Sequence, residues 1–388
     1  MEDNVLVAVF PSTFSQNKIK PIMTNIKKIL KIQNRKFHKI RQDGDIIVVE
    51  TDDPVFTSST INSLFGIKGV AIAKQVPNNF KSIVNGISKV GENLFLKSER
   101  FLIQVEGSAK GFIAKDVEVA ATSALIEKTA KKGVRPGTAE KYDKLLYVYL
   151  TKTSAYICIW YDKGLGGIPN NSQNKKVICC VFDELSAVSC IETIKQGFDV
   201  KIIVCFTKES ELHDLAKMVN ELIHRTVRSK IDLDFYKVPV DGRGTSLLLL
   251  TAVTAELLSR IATSNGIKRI SLNLSPLIHP TEEFLENIVM QIYEKKLIPY
   301  IPLSGLDDNV LTSAKEIGLE KYLPRIKKYG KSDFYDSHNL NFGTYDSYAS
   351  KKEIKKIVGR TIDTRKVISI KIGLNNVHEI LDKIAPKH

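Results

Sequence analysis

Three glycines and a proline within seven residues, Lys163-Gly164-Leu165-Gly166-Gly167-Ile168-Pro169, divide this chain. Glycine's freedom at positive φ and proline's missing N–H make such a stretch a turn or junction rather than part of a helix or central strand. The charge also changes there. Residues 1–176 carry 27 Lys+Arg against 16 Asp+Glu, net +11, whereas residues 177–388 carry 30 against 27, net +3. An excess concentrated in one half fits a polyanionic partner. Nucleic acid ranks ahead of a membrane, because no basic amphipathic helix with bulky apolar anchors accompanies the charge.

At 388 residues the chain has room for two or three domains, each burying its own core. No apolar run reaches the roughly 18 to 20 residues that span a bilayer. The start, Met1 to Phe10, holds two acids and no basic-then-apolar pattern, so a cytoplasmic protein is expected. Cys158, Cys179, Cys180, Cys190 and Cys205 form no C-x-x-C pair and lack histidines at metal spacing. They read as reduced structural thiols, with no metal site.

Val5 to Pro11 reads as a buried strand. Ile19, Ile22, Met23, Ile26, Ile29 and Leu30 recur at helical spacing, leaving Lys20, Lys27 and Lys28 on the wet side. A hairpin over 35–41 and 45–51 turns at Gln42-Asp43-Gly44. After Asp52-Asp53-Pro54 come a short helix at 61–66, a strand at 69–73, a helix at 80–91 and a strand at 100–106. A helix at 117–128 and a hairpin over 145–150 and 154–160 follow. Tyr147, Tyr149, Tyr156 and Trp160 in that hairpin read as sheet packing ahead of base stacking.

Leu64-Phe65-Gly66-Ile67, the Phe101 strand followed by Lys110 and Phe112, and the closing Gly164-Leu165-Gly166-Gly167-Ile168-Pro169 together resemble the THUMP domain. Their order is similar to that of the 4-thiouridine synthetase (tRNA sulfurtransferase) family, as is Phe14-Ser15-Gln16-Asn17-Lys18 followed by Asn25-Ile26-Lys27. The resemblance implies a ferredoxin-like domain over 1–54, a THUMP RNA-binding domain over 55–170 and a Rossmann-like, PP-loop ATPase-like domain over 175–388. The last would be a doubly wound parallel sheet with a basic C-terminal extension. It further implies tRNA as partner, gripped at its acceptor 3′ end. The candidate RNA-binding residues are Lys18, Lys27, Lys28, Lys97, Arg100, Lys110, Lys115, Lys131, Lys132, Arg135, Lys144 and Lys163. Where the family usually has an arginine after the Phe101 strand, this chain has Glu106-Gly107-Ser108, which implies an altered grip.

Beyond the linker at 170–176, strands at 177–182, 200–206, 234–238, 269–274 and 298–303 alternate with helices at 211–225, 247–263, 281–295 and 309–318. In such a sheet ligands sit at the carboxyl ends of the strands. The family's PP-loop, Ser-Gly-Gly-x-Asp-Ser, would follow the first of them and wrap ATP phosphates in backbone N–H groups. This chain has Phe182-Asp183-Glu184-Leu185-Ser186-Ala187-Val188-Ser189-Cys190 there. Asp183 and Glu184 stand where phosphate would, and that repulsion is worth on the order of several kcal/mol. Thr245-Ser246-Leu247 replaces the family's Cys-x-x-Cys, and Leu272-Asn273-Leu274-Ser275 replaces its Thr-Gly-Glu-Ser-like segment.

Asp183, Glu184, Ser186 and Arg243 are therefore remnants of a nucleotide loop. Gly242-Arg243-Gly244, His279, Asp307-Asp308 and Cys190 read as structural, and no catalytic residue is assigned. The polar stretch 322–356, with its lysine pairs, is an RNA-facing extension or a solvated tail, and a strand at 366–372 and a helix at 377–384 close the chain. The expected protein binds tRNA without ATP-dependent sulfurtransferase chemistry or a cofactor, as adaptor or subunit in tRNA modification. A modification enzyme or sulfur carrier is a possible partner, and so is a second copy in a homodimer. The alternative is an active sulfurtransferase using ATP with Mg at a divergent or partner-supplied site.

Overall fold

The structure, a computed structural model, describes residues 5–109, 111–239, 247–275, 282–303, 308–316, 318–322, 324 and 350–384. The chain divides into two compact units, Met1–Pro169 and Asn170–His388. Among the described residues no helix is long and apolar enough to cross a membrane.

The first unit runs β1 (Val5–Pro11), α1 (Ile19–Ile32), β2 (Lys39–Asp43), β3 (Ile46–Glu50), α2 (Pro54–Asn62), β4 (Ile67–Pro77), α3 (Phe80–Leu94), β5 (Arg100–Gly107), α4 (Ala114–Thr129), β6 (Arg135–Pro136), β7 (Lys144–Leu150) and β8 (Ser154–Gly166). One eight-stranded sheet, β2-β3-β1-β4-β8-β7-β5-β6, takes strands from both 1–54 and 55–170. Helix α1 buries Ile22, Ile26, Ile29 and Leu30 and leaves Lys27 and Lys28 in water, as its spacing predicts.

The helix expected at 61–66 lies earlier in the chain. The Asp53 carboxylate accepts the Phe56 N–H at 3.2 Å and Pro54 takes the first turn, so the start signal before α2 outweighs the apolar spacing further on. The glycine junction also departs from expectation. Strand β8 continues through Gly164 and Leu165 to pair Gly166 with Ile67 before the chain leaves through Gly167 at φ +74. Close backbone approach explains why glycine is needed in that strand. A Cβ on Gly164 would lie 2.3 Å from the Ile67 carbonyl oxygen.

The sheet is strongly curled. The Phe10 ring, on β1, sits 5.6 Å from Tyr147 and 5.3 Å from Tyr149 on β7. In a flat sheet those strands would stand about 14 Å apart. The concave face is packed with Phe10, Tyr147, Tyr156 and Cys158, partly covered by Tyr149 and Tyr161, so the tyrosines are packing residues as read. Trp160 is not, being 60% exposed.

The second unit runs β9 (Lys176–Val181), α5 (Glu184–Lys195), β10 (Asp199–Phe206), α6 (Leu212–His224), β11 (Lys230–Lys237), α7 (Leu247–Ser264), β12 (Arg269–Ser271), α8 (Glu282–Glu294), β13 (Ile298–Tyr300), α9 (Asp308–Glu316), α10 (Lys351–Asp363), β14 (Lys366–Lys371) and α11 (Val377–Ile384). Its sheet order is β13-β12-β9-β10-β11-β14, parallel except for β14, which pairs antiparallel with β11. This is the doubly wound architecture expected.

Two helices replace stretches expected to be irregular. The loop read after Phe182 is almost at once α5. The lysine pairs Lys351-Lys352 and Lys355-Lys356 ride α10, whose Ile354 and Val358 join the core with α7. That segment is part of the fold, not a solvated tail. The rest of the extension, Lys327-Lys328 included, lies outside the described residues.

Gly166 has φ +65 and open space around it. Alanine there is expected to cost about 1–2 kcal/mol through its backbone alone. Gly164→Ala, which must also push back the Ile67 carbonyl, should lower the urea midpoint distinctly further. Equal shifts would refute the close-approach argument.

Candidate nucleic-acid interface and the nucleotide crevice

Parallel strands β5, β6 and β7 begin together, Arg100 pairing with Arg135 and Phe101 with Lys144. Their amino ends, the loop at 95–99 and the turn Ala130–Lys132 after α4 therefore share one edge of the first unit. This register brings Lys97, Arg100, Lys131, Lys132, Arg135 and Lys144 to one place. They divide into two kinds.

Some hold the loop. The Lys132 ammonium donates to the Glu92 and Phe95 carbonyls at 2.5 and 3.1 Å. Lys144 donates to the Leu94 carbonyl at 2.9 Å and pairs with Glu99 at 3.1 Å. Asp143 accepts the Arg100 backbone N–H at 2.7 Å and pairs with its guanidinium at 3.4 Å. The Arg100 backbone N–H, and after it the guanidinium, hold the Asp143 carboxyl below the ordinary carboxylate range. The Leu96 N–H does the same for Glu99. By contrast Lys97, Lys131 and Arg135 are exposed, and among the described residues no ion pair holds them. Tyr142, 41% exposed, stands beside them with an aromatic surface. Sequence reasoning did not single out Asp143 and Tyr142, whose importance arises only from strand register.

The other sequence candidates lie elsewhere. Lys18 precedes α1, and Lys27 and Lys28 are on its outer face. Lys115 pairs with Glu118 at 2.9 Å in the first turn of α4, the end remote from Lys131. Lys163 is exposed on β8, and Lys110 lies outside the described residues. Glu106, in the segment that departs from the family pattern, accepts hydrogen bonds from Tyr147 at 2.8 Å and Gln104 at 2.8 Å. It anchors the curled sheet.

In the second unit β9 is flanked by β10 and β12, so the strand order reverses there and the crevice for ligands opens at the carboxyl ends of β9 and β12. Helix α5 begins at that point. Its amino end is already occupied by its own side chains. The Asp183 carboxylate accepts the Ser186 N–H at 2.7 Å, while the Ser186 hydroxyl accepts the Phe182 and Asp183 N–H groups, each at 2.9 Å. These are donors that a phosphate would need, and Asp183 is itself an anion at the positive helix end. Glu184 is only 2% exposed in the same turn.

The crevice is also filled. Cys180, Phe182, Thr251, Leu258, Leu272 and Leu274 leave a cavity of only about 10 Å³ among the described residues. Small-molecule sites run to roughly 300–1,000 Å³. Arg243, with Gly242, Gly244, Thr245 and Ser246, lies outside the described residues, as do His279 and Asp307; Asp308 opens α9. All five cysteines are free and buried. The neighbouring Cys179 thiol, together with burial, pushes the Cys190 thiol well up, so Cys190 is no nucleophile. No group of histidines, cysteines and carboxylates that could hold a metal occurs among the described residues.

No protein-family model matches the chain. Over 318 residues it is 22% identical to the probable tRNA sulfurtransferase of Methanosarcina mazei, covering 77% of each chain. Over 313 residues it is 23% identical to that of Thermococcus kodakarensis, covering 76% of this chain and 81% of the other. Among solved structures, a 4-thiouridine synthetase–RNA complex with bound ATP has a TM-score of 0.65 at 16% identity, covering 94% of this chain and 99% of that one. PH1313 from Pyrococcus horikoshii has a TM-score of 0.60 at 18% identity, covering 81% of this chain and all of its own. The sequence kinship is thus to proteins named tRNA sulfurtransferase, and the fold is that of a 4-thiouridine synthetase.

The Asp143 and Glu99 clasps are whole above the ordinary carboxylate pKa of about 4 and are lost as pH falls through their lower folded values. In an acid titration, the Arg100 and Leu96 amide proton shifts should move with midpoints below those ordinary values. Midpoints at or above them would remove the clasp from the interface.

Proposed function

We propose that this chain, kin to the tRNA sulfurtransferases by sequence and to a 4-thiouridine synthetase by fold, binds tRNA without carrying out ATP-dependent thiolation. It acts as the RNA-holding adaptor or subunit of a tRNA-modifying assembly. In this reading residues 1–54 form the ferredoxin-like module, residues 55–170 the THUMP module and residues 175–388 a degenerate PP-loop-like domain. The acceptor 3′ end meets the cationic edge at the start of β5, β6 and β7. RNA bound to the related-fold synthetase supports the first half of the reading.

The observation that carries the second half is the closed amino end of α5. An ATP phosphate there would have to displace the Asp183 carboxylate and the Ser186 hydroxyl, and then find room in a crevice packed with leucine and phenylalanine. The competing reading, working 4-thiouridine synthesis, draws on the ATP bound in the related-fold synthetase. It requires those groups to move aside.

The triple variant Lys97→Glu, Lys131→Glu, Arg135→Glu should bind tRNA much more weakly. Its log affinity should fall less steeply with log salt, by a slope of about 1 for each phosphate contact removed. In the same reactions α-labelled ATP should yield no AMP above a protein-free control. Unchanged affinity and slope at matched salt would refute this RNA surface, and tRNA-dependent AMP release would refute the loss of chemistry.

A further inference from the structure

The helix face of the first unit's sheet is not uniformly covered. On β4, Ala71 and Ala73 face the concave aromatic cluster, so Val70, Ile72, Lys74 and Val76 face the helices. Val70 is buried at the end where α2 packs, and Val76 packs with the α3 cluster, while Ile72 and Lys74 between them are only half covered. An open cleft of about 230 Å³ lies there. Val5, Ile159, Val90 and Leu94 give it apolar walls, and Lys74, Lys89 and Asn93 give it polar ones.

A bulge turns Trp160 toward the same face. Cys158 pairs with Ala73 and Trp160 with Ile72, so β8 carries one extra residue at this point. Cys158 and Tyr161 both join the concave cluster, which leaves Ile159 and Trp160 together on the helix side. Ile159 lines the cleft. The adjacent indole, the only tryptophan of the chain, is 60% exposed, an unusual place for so large an apolar group in the middle of a sheet.

We propose that Trp160 and this cleft receive an unpaired nucleotide of the bound RNA. The base stacks on the indole, and its flanking phosphate is met by the Lys74 and Lys89 ammonium groups. Charge complementarity selects that occupant: the cleft offers two cations and no carboxylate among its lining residues. A base has a π-face for an exposed aromatic side chain, and its phosphate needs a cation within a nucleotide's reach. The proposal rests on the RNA-binding reading and adds a second contact, away from the cationic edge and acting by stacking.

Since Trp160 is the sole tryptophan, its emission reports the cleft directly. Titrating the full-length chain with single-stranded hexaadenylate should quench that emission, with a saturation curve matching RNA binding measured by anisotropy. Trp160→Leu should weaken hexaadenylate binding on the order of tenfold while leaving the salt slope unchanged, and Trp160→Phe, which keeps a π-face, should recover part of the loss. If the charge-reversed triple variant loses affinity while Trp160 emission and the Trp160→Leu variant remain as wild type, the cleft proposal falls and the RNA reading stands. If neither variant changes RNA binding, both fall. Trp160 emission that shifts with protein concentration in the absence of RNA would mean that a second copy covers the cleft, and would overturn the proposal.

Discussion

The antiparallel pairing of β4 with β8 is the seam on which the first unit depends. It joins the half of the sheet built around β1 to the half built around β5 and β7, and it runs from Ile67 opposite Gly166 to Pro77 opposite Ser154. The two strands are not in simple register. A bulge near Trp160 and a second irregularity beside Gly164 let the ladder bend, and the bend brings Phe10 against Tyr147, Tyr149 and Tyr161. The aromatic cluster and the seam therefore sustain each other. Rings that a flat sheet would hold apart become a shared core, and burying that area contributes on the order of several kcal/mol to holding the curl.

The second unit keeps a nucleotide-binding topology and replaces the nucleotide. A helix amino terminus at a switch point presents unsatisfied N–H groups and a positive pole, and something must answer them. Here Asp183 and Ser186 do so reciprocally, and Thr193 and Ser271 tie the helix to β12 through hydroxyls 2.8 Å apart. The same residues that remove a phosphate site make the helix start well satisfied. Loss of a ligand and gain of local order are one physical change.

Much of this was legible in the sequence. Alternation of apolar runs with helical periodicity located the strands and helices of the second unit, because a buried parallel sheet leaves little latitude in pattern. Asp183 and Glu184 were correctly suspected of excluding phosphate, although the agent is a capping hydrogen-bond network as much as repulsion. Less legible was whatever depends on register. Arg100, Lys132 and Lys144 looked like RNA contacts and turn out to hold a loop, since only the pairing of β5 with β6 and β7 brings Glu92, Leu94 and Asp143 to them. Trp160 shared its hairpin with buried tyrosines, and a single extra residue sent it to the other face. Helix α10 was obscured by its lysines, which outnumber the short Ile354 and Val358 stripe that docks it.

The clasped loop at 92–99 bears on how such a surface meets its partner. A loop tied down by Lys132, Lys144 and Asp143 has already given up its conformational freedom, so the exposed charges at Lys97 and Arg135 are presented in a fixed arrangement before any encounter. Association then requires little further ordering of backbone, which is the term that most often erodes affinity at flexible polar surfaces. A rigid cationic edge also samples few shapes. It favours polyanions whose phosphates already match its spacing and gains less from those that would require it to adapt.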